Sequence, residues 1–130
     1  MSYDIAVWEG ERPASDAHAL ETFTALMDAA EENEDLEPTP RIRSFIRDLI
    51  AQWDDGDEPW SVVPLTEDEG IGPIVYLAVT FDSIDEVQVI ADIAKRHHLI
   101  CFDPQAETII GSNRPRWWSS VKRLLRKSPG

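Results

Sequence analysis

The chain has 130 residues, the length of one domain with one core, which excludes a two-domain enzyme. Hydrophobic residues make up 42%, enough for a packed interior, yet the longest apolar run covers only residues 74–79, far from the roughly 20 that a membrane-spanning helix needs. The charge is lopsided: residues 1–113 hold all 25 acids and six bases, a net of −19, whereas residues 114–130 hold the other six bases and no acid, so the body should repel nucleic acid and anionic lipid and attract cationic partners.

Met1-Ser2-Tyr3-Asp4 carries neither the basic region nor the apolar segment of a secretory signal. Residues 3–8 alternate, with Tyr3, Ile5 and Val7 on one face, as a half-buried strand would, and Gly10 and Pro13 end it. Ser15 is the expected N-cap of a first helix, along which Leu20, Phe23, Met27 and Ala30 recur at helical spacing. An acidic run over residues 31–37 closes it. Thr39-Pro40 predicts a second helix start, and Ile42, Phe45, Ile46, Leu49, Ile50 and Trp53 follow at steps of three and four.

Residues 60–65 read as a short strand at an edge, because Pro64 cannot donate to a ladder. Residues 74–81, β-branched and aromatic, read as a central strand, joined to the former as a long hairpin. Ser83-Ile84-Asp85-Glu86 fits a capping box ahead of a third helix buried through Ile84, Val87, Ile90, Ala91 and Ala94, with Lys95, Arg96, His97 and His98 in its last turn. Residues 99–102 make a last strand, turned by Asp103-Pro104 and extended by residues 108–110. The order implies an α+β fold, a ferredoxin-like sandwich: a four-stranded, mainly antiparallel sheet with helices packed on one face, the first and last strands being neighbours. Residues 1–113 form the acidic domain. Residues 114–130, with Trp117, Val121, Leu124 and Leu125 on one helical face and Lys122, Arg123, Arg126 and Lys127 around the rest, are expected to form a short basic amphipathic helix that docks its tryptophans on the domain while its charges meet the acidic body, in preference to a membrane or nucleic-acid contact.

Three acidic clusters stand out: Glu31, Glu32, Glu34, Asp35 and Glu37; then Asp54, Asp55, Asp57 and Glu58; then Glu67, Asp68 and Glu69. If they converge, they form a surface for a basic protein partner, with Trp60 as an aromatic anchor. As metal ligands they are weak, since Asp54-Asp55-Gly56-Asp57 lacks the spacing of a calcium loop. His97, His98 and Cys101 lack the further ligands of a zinc site, and a lone cysteine cannot form an internal disulfide, which favours a reducing cytoplasm. The chain has no glycine-rich phosphate loop, no nucleophile elbow and no His-Glu-x-x-His helix. We therefore expect a binding protein without catalytic residues, cofactor or metal. Two alternatives stay open: a small ligand-binding domain or hydrolase with a pocket near Trp8, Glu9, Cys101 and Asp103, and an adaptor tethered to membrane by the basic segment.

Met1-Ser2-Tyr3-Asp4-Ile5-Ala6-Val7-Trp8-Glu9-Gly10, Pro38-Thr39-Pro40-Arg41-Ile42 and Leu99-Ile100-Cys101-Phe102-Asp103-Pro104-Gln105 resemble segments of small, acidic, actinobacterial-type bacterial proteins. The resemblance covers residues 1–105. Such proteins are similar in size, charge and lack of catalytic motif to the immunity partners of polymorphic bacterial toxins, which implies an inhibitor that occludes a cognate toxin. The resemblance carries over no functional residue, and the basic segment departs from it.

Overall fold

Side-chain alternation builds β1 (Ser2–Glu9), in which Ile5 and Val7 bury on one face and Ala6 and Trp8 on the other, none more than 1% exposed. The computed structural model describes residues 2–54, 56–61 and 65–111. The helix expected over residues 114–130 lies outside them, as do Asp55 and residues 62–64.

Local chemistry sets the helix starts. Ser15 caps α1 (Asp16–Glu32), its Oγ accepting from the His18 amide at 3.1 Å. Thr39 caps α2 (Pro40–Gln52) in the same way through the Ile42 amide at 3.3 Å, and Pro40 occupies the first turn, where its missing N–H costs nothing. A tight turn from Ile71 to Ile74 then feeds β2 (Ile74–Thr80). Gly72 takes φ +58° there, a conformation that glycine adopts without penalty. A 3₁₀ turn over Phe81–Glu86 leads into α3 (Val87–Arg96). The expected capping box does not form: Ser83, at φ −109° and ψ 20°, is a non-helical kink between two short 3₁₀ turns, so α3 starts later, with Glu86 at its N-cap making no side-chain cap bond.

β3 (Leu99–Asp103) and β4 (Thr108–Ile110) complete an antiparallel sheet in the order β2-β1-β3-β4. This is the expected α+β class, and the expected neighbours meet, Trp8 opposite Ile100 and Glu9 opposite Leu99. The fourth strand is a different one. Of residues 60–65, Trp60 makes a single antiparallel bridge to Val79, flanked by bonds from the Ser61 amide to Ala78 and from the Thr80 amide to Pro59. Residues 108–110 instead fold back as β4. Read from Trp60 across to β3, the order is still that of a ferredoxin-like sandwich.

Helices cover both faces of the sheet, which corrects the expectation of one. Phe45, Ile46 and Leu49 of α2 and Ile90 and Ala94 of α3 pack with Ile5, Val7 and Leu77. On the other side Ala19, Phe23 and Ala30 of α1 pack with Ala6, Trp8, Ile74 and Phe102. The reason lies in β1, whose buried residues are apolar on both faces, so neither face can be left to water.

Candidate docking surface

The polar side of α2 gathers two of the three acidic clusters. Arg43, in the first turn, reaches Asp68 at 3.1 Å and Glu37 at 3.9 Å, so the loop after α1 and the loop before β2 meet across one guanidinium. One turn further on, Nε and Nη2 of Arg47 both contact Glu67 Oε1, at 2.9 and 2.8 Å. Arg41 lies 3.8 Å from Glu9 at the end of β1. The carboxylates of Glu37 and Asp68 are exposed, at 87% and 77%, and Glu9 and Arg43 are half-buried, so each pair contributes at most about 1 kcal/mol. Their effect is positional: they hold four carboxylates in place on one surface.

The third cluster does not join them. Asp54, Asp57 and Glu58 follow the far end of α2, about 20 Å from its start at 1.5 Å per residue. They organise their own loop, with Glu58 Oε2 accepting from the Gly56 amide and the Asp57 amide donating to the Asp54 carbonyl. Asp55 lies outside the described residues.

Glu31, Glu32, Glu34 and Asp35 are all exposed, and among the described residues none forms an ion pair. They cluster at the C-terminal end of α1, the negative end of its dipole, and the last turn of α1 holds no basic residue. Among the described residues, negative potential is therefore concentrated here without a paired cation.

Trp60 corrects the expectation of an aromatic anchor. It is 6% exposed, held edge-on against Trp53 at 5.4 Å within the α2 and α3 core. A large apolar surface beside the bridge to Val79 gains more from that core than from water. Its remaining edge helps line an open cleft of about 240 Å³ with Leu65, Glu69, Tyr76, Leu77 and Ala78. Glu69 is the acidic residue of this lining. Burial, together with the Asp4 carboxylate that neighbours and hydrogen-bonds it, raises the Tyr76 phenol above its ordinary 10.0.

The residues of the alternative pocket are not brought together. Trp8, 1% exposed, packs beneath α1 against Phe23 and Phe102, while Cys101 is buried on the opposite face, opposite Val7. Asp103, 3% exposed, is structural: Oδ1 accepts from the Gln105 and Ala106 amides at 3.0 and 3.1 Å and from Gln105 Nε2 at 2.7 Å, and Oδ2 accepts from the Tyr3 hydroxyl. Gln105 in turn accepts from the Asp4 amide at 2.6 Å and donates to its carbonyl at 2.8 Å. Pro104 has no N–H to offer β1, and this side-chain amide serves in its place. His97 pairs with Asp48 at 2.6 Å, tying α3 to α2. Among the described residues no group of three or more His, Cys, Asp or Glu side chains could hold a metal ion, and no helix is long and apolar enough to cross a membrane.

Sequence reasoning missed the three arginines of α2. The signal was available, since Arg43 and Arg47 stand four apart on the face opposite Phe45, Ile46 and Leu49. No protein-family model, curated protein or solved structure matches the chain.

Proposed function

We propose that the protein is an immunity-type inhibitor that binds a basic protein, a cognate toxin, across the end of α1 and the start of α2. One observation carries this reading: Glu31, Glu32, Glu34 and Asp35 stand exposed without ion pairs among the described residues, beside four further carboxylates fixed by Arg41, Arg43 and Arg47. Unpaired carboxylates steer a basic partner into contact at rates up to about 10⁸–10⁹ M⁻¹s⁻¹, and they form new pairs without first breaking old ones. The cleft beside Glu69 and Tyr76 offers a seat for one lysine or arginine of that partner. Inhibition follows by occlusion, with no chemistry on the inhibitor's side. Such an inhibitor acts in the cytoplasm.

The test mixes the protein with the product of a neighbouring toxin-like gene and follows association by stopped flow. Association should slow about tenfold between low salt and roughly 0.5 M salt, and similarly with Glu31→Lys, Glu32→Lys and Asp35→Lys combined. No complex, or association indifferent to both changes, overturns the reading.

A further inference from the structure

The outer edge of β2 is paired at both ends and open between them. The Glu9 amide donates to the Pro73 carbonyl, so the main-chain groups of the odd-numbered residues face β1, and those of the even-numbered residues face outward. Ile74 shares two hydrogen bonds with Ile71, the Ala78 carbonyl accepts from the Ser61 amide at 2.9 Å, and the Thr80 amide donates to Pro59 at 2.8 Å. Tyr76 lies between these anchors. Among the described residues nothing pairs with its main-chain N–H or C=O, or with the Ala78 N–H. Tyr76 and Ala78 also line the open cleft of about 240 Å³, so the edge faces free space where its ladder stops.

We propose that an extended segment bearing lysine or arginine adds to this edge as a short strand, taking up the Tyr76 N–H and C=O and the Ala78 N–H. The proposal rests on the inhibitor reading for a basic partner and gives that partner's contacting segment a shape. Strand addition supplies main-chain bonds for affinity and leaves alternate side chains to select the sequence. From Ile74 to Ala78 the gap spans about 14 Å at 3.4 Å per residue, room for about four residues. Alternate residues of the added strand meet Tyr76, 40% exposed on the α1 side, and Leu65, which packs against the α2 and α3 core. Charge sets the chemistry: Glu69 is in the lining, and the Asp4 carboxylate neighbours the Tyr76 phenol. A second copy fits badly, because its own β2 edge carries the same projecting bridges at Trp60 and Ile71, and two chains of net charge −13 repel.

Amide hydrogen exchange on the full chain tests it, with an end-blocked pentapeptide of alternating valine and lysine as the probe. In the free protein the Tyr76 and Ala78 amides should exchange at least about tenfold faster than those of Val75 and Leu77, which face β1. With about 5 mM peptide their exchange should slow at least about threefold. The same peptide N-methylated at its main-chain amides should leave it unchanged, and so should one with glutamate in place of lysine. Ala78→Pro removes an outward donor without touching the β1 ladder, and should abolish the effect at Tyr76 while the β1 amides stay protected. Tyr76 and Ala78 amides already protected in the free chain overturn the proposal, as does protection that rises with protein concentration. So does a lysine peptide without effect, or an N-methylated or glutamate peptide that matches it. Failure of the peptide while the toxin-like product still binds removes the strand pairing and leaves the inhibitor reading; peptide binding without such a complex does the reverse.

Discussion

Replacing Asp103 by alanine probes the link between the two ends of the sheet. The carboxylate accepts four hydrogen bonds, one from Tyr3 on β1 and three from the turn between β3 and β4. Gln105 and Ala106 are exposed, so water can replace part of what their groups lose, at about 0.5–1 kcal/mol each, whereas the part-buried Tyr3 hydroxyl loses about 1–2 kcal/mol. Asp103→Ala should therefore cost about 3–4 kcal/mol, a large share of the total stability of a domain this size. Asp103→Asn keeps one acceptor oxygen for the turn and should cost about 1 kcal/mol, because the Tyr3 hydroxyl can rotate to accept from the new amide. Urea unfolding gives both values, and a double-mutant cycle with Tyr3→Phe should return a coupling of about 1 kcal/mol or more. A loss below about 1 kcal/mol for Asp103→Ala, or equal losses for the two variants, would refute the account of this carboxylate as a hub.

Gly70→Ala should destabilise by about 1–3 kcal/mol in the same assay, since a Cβ there would lie 2.7 Å from Ile42 Cγ2 in the core and 3.1 Å from Pro38. Thr39→Ala should cost about 1 kcal/mol through the lost cap, whereas Ser83→Ala should be near neutral; equal losses would restore the capping box. Tyr76 should titrate above the ordinary tyrosine range by phenolate absorbance in a Tyr3→Phe background, and Asp4→Asn should bring it down. Because the folded state raises this group, its contribution to stability is complete below the unfolded value near 10.0 and is lost as pH rises through the folded one. Asp4→Asn should accordingly soften alkaline unfolding.

The starts of α1 and α2 were legible because each rests on local chemistry, Ser15 and Thr39 capping through neighbours three residues away, whereas the box expected at Ser83 for α3 does not form. The strands of the central sheet were legible from alternation and β-branching. Two features depended on groups distant in sequence and were not. Whether residues 60–65 or 108–110 would supply the fourth strand turned on pairing with β2 or β3, and nothing in either stretch encodes its partner. The side on which α1 lies was written in Ala6 and Trp8, apolar residues on the second face of β1, but the periodicity of α1 alone is the same for either side. At the surface, the acidic clusters were evident as composition, and their pairing was not. Arg43 joins Glu37 to Asp68 across 31 positions of chain, a relation only the fold supplies.

The position of β1 has a consequence for how the molecule is made. It is flanked on both sides, so that Trp8 lies opposite Ile74 and also Ile100, and Ala6 opposite Tyr76 and also Phe102. β1 thus completes its ladder only once β3, which begins about 90 positions further along the chain, has been synthesised. Folding is dominated by long loop closures, placing it toward the millisecond-to-second end of small-domain rates, and until then a stretch sticky on both sides depends on transient shelter to stay out of aggregates.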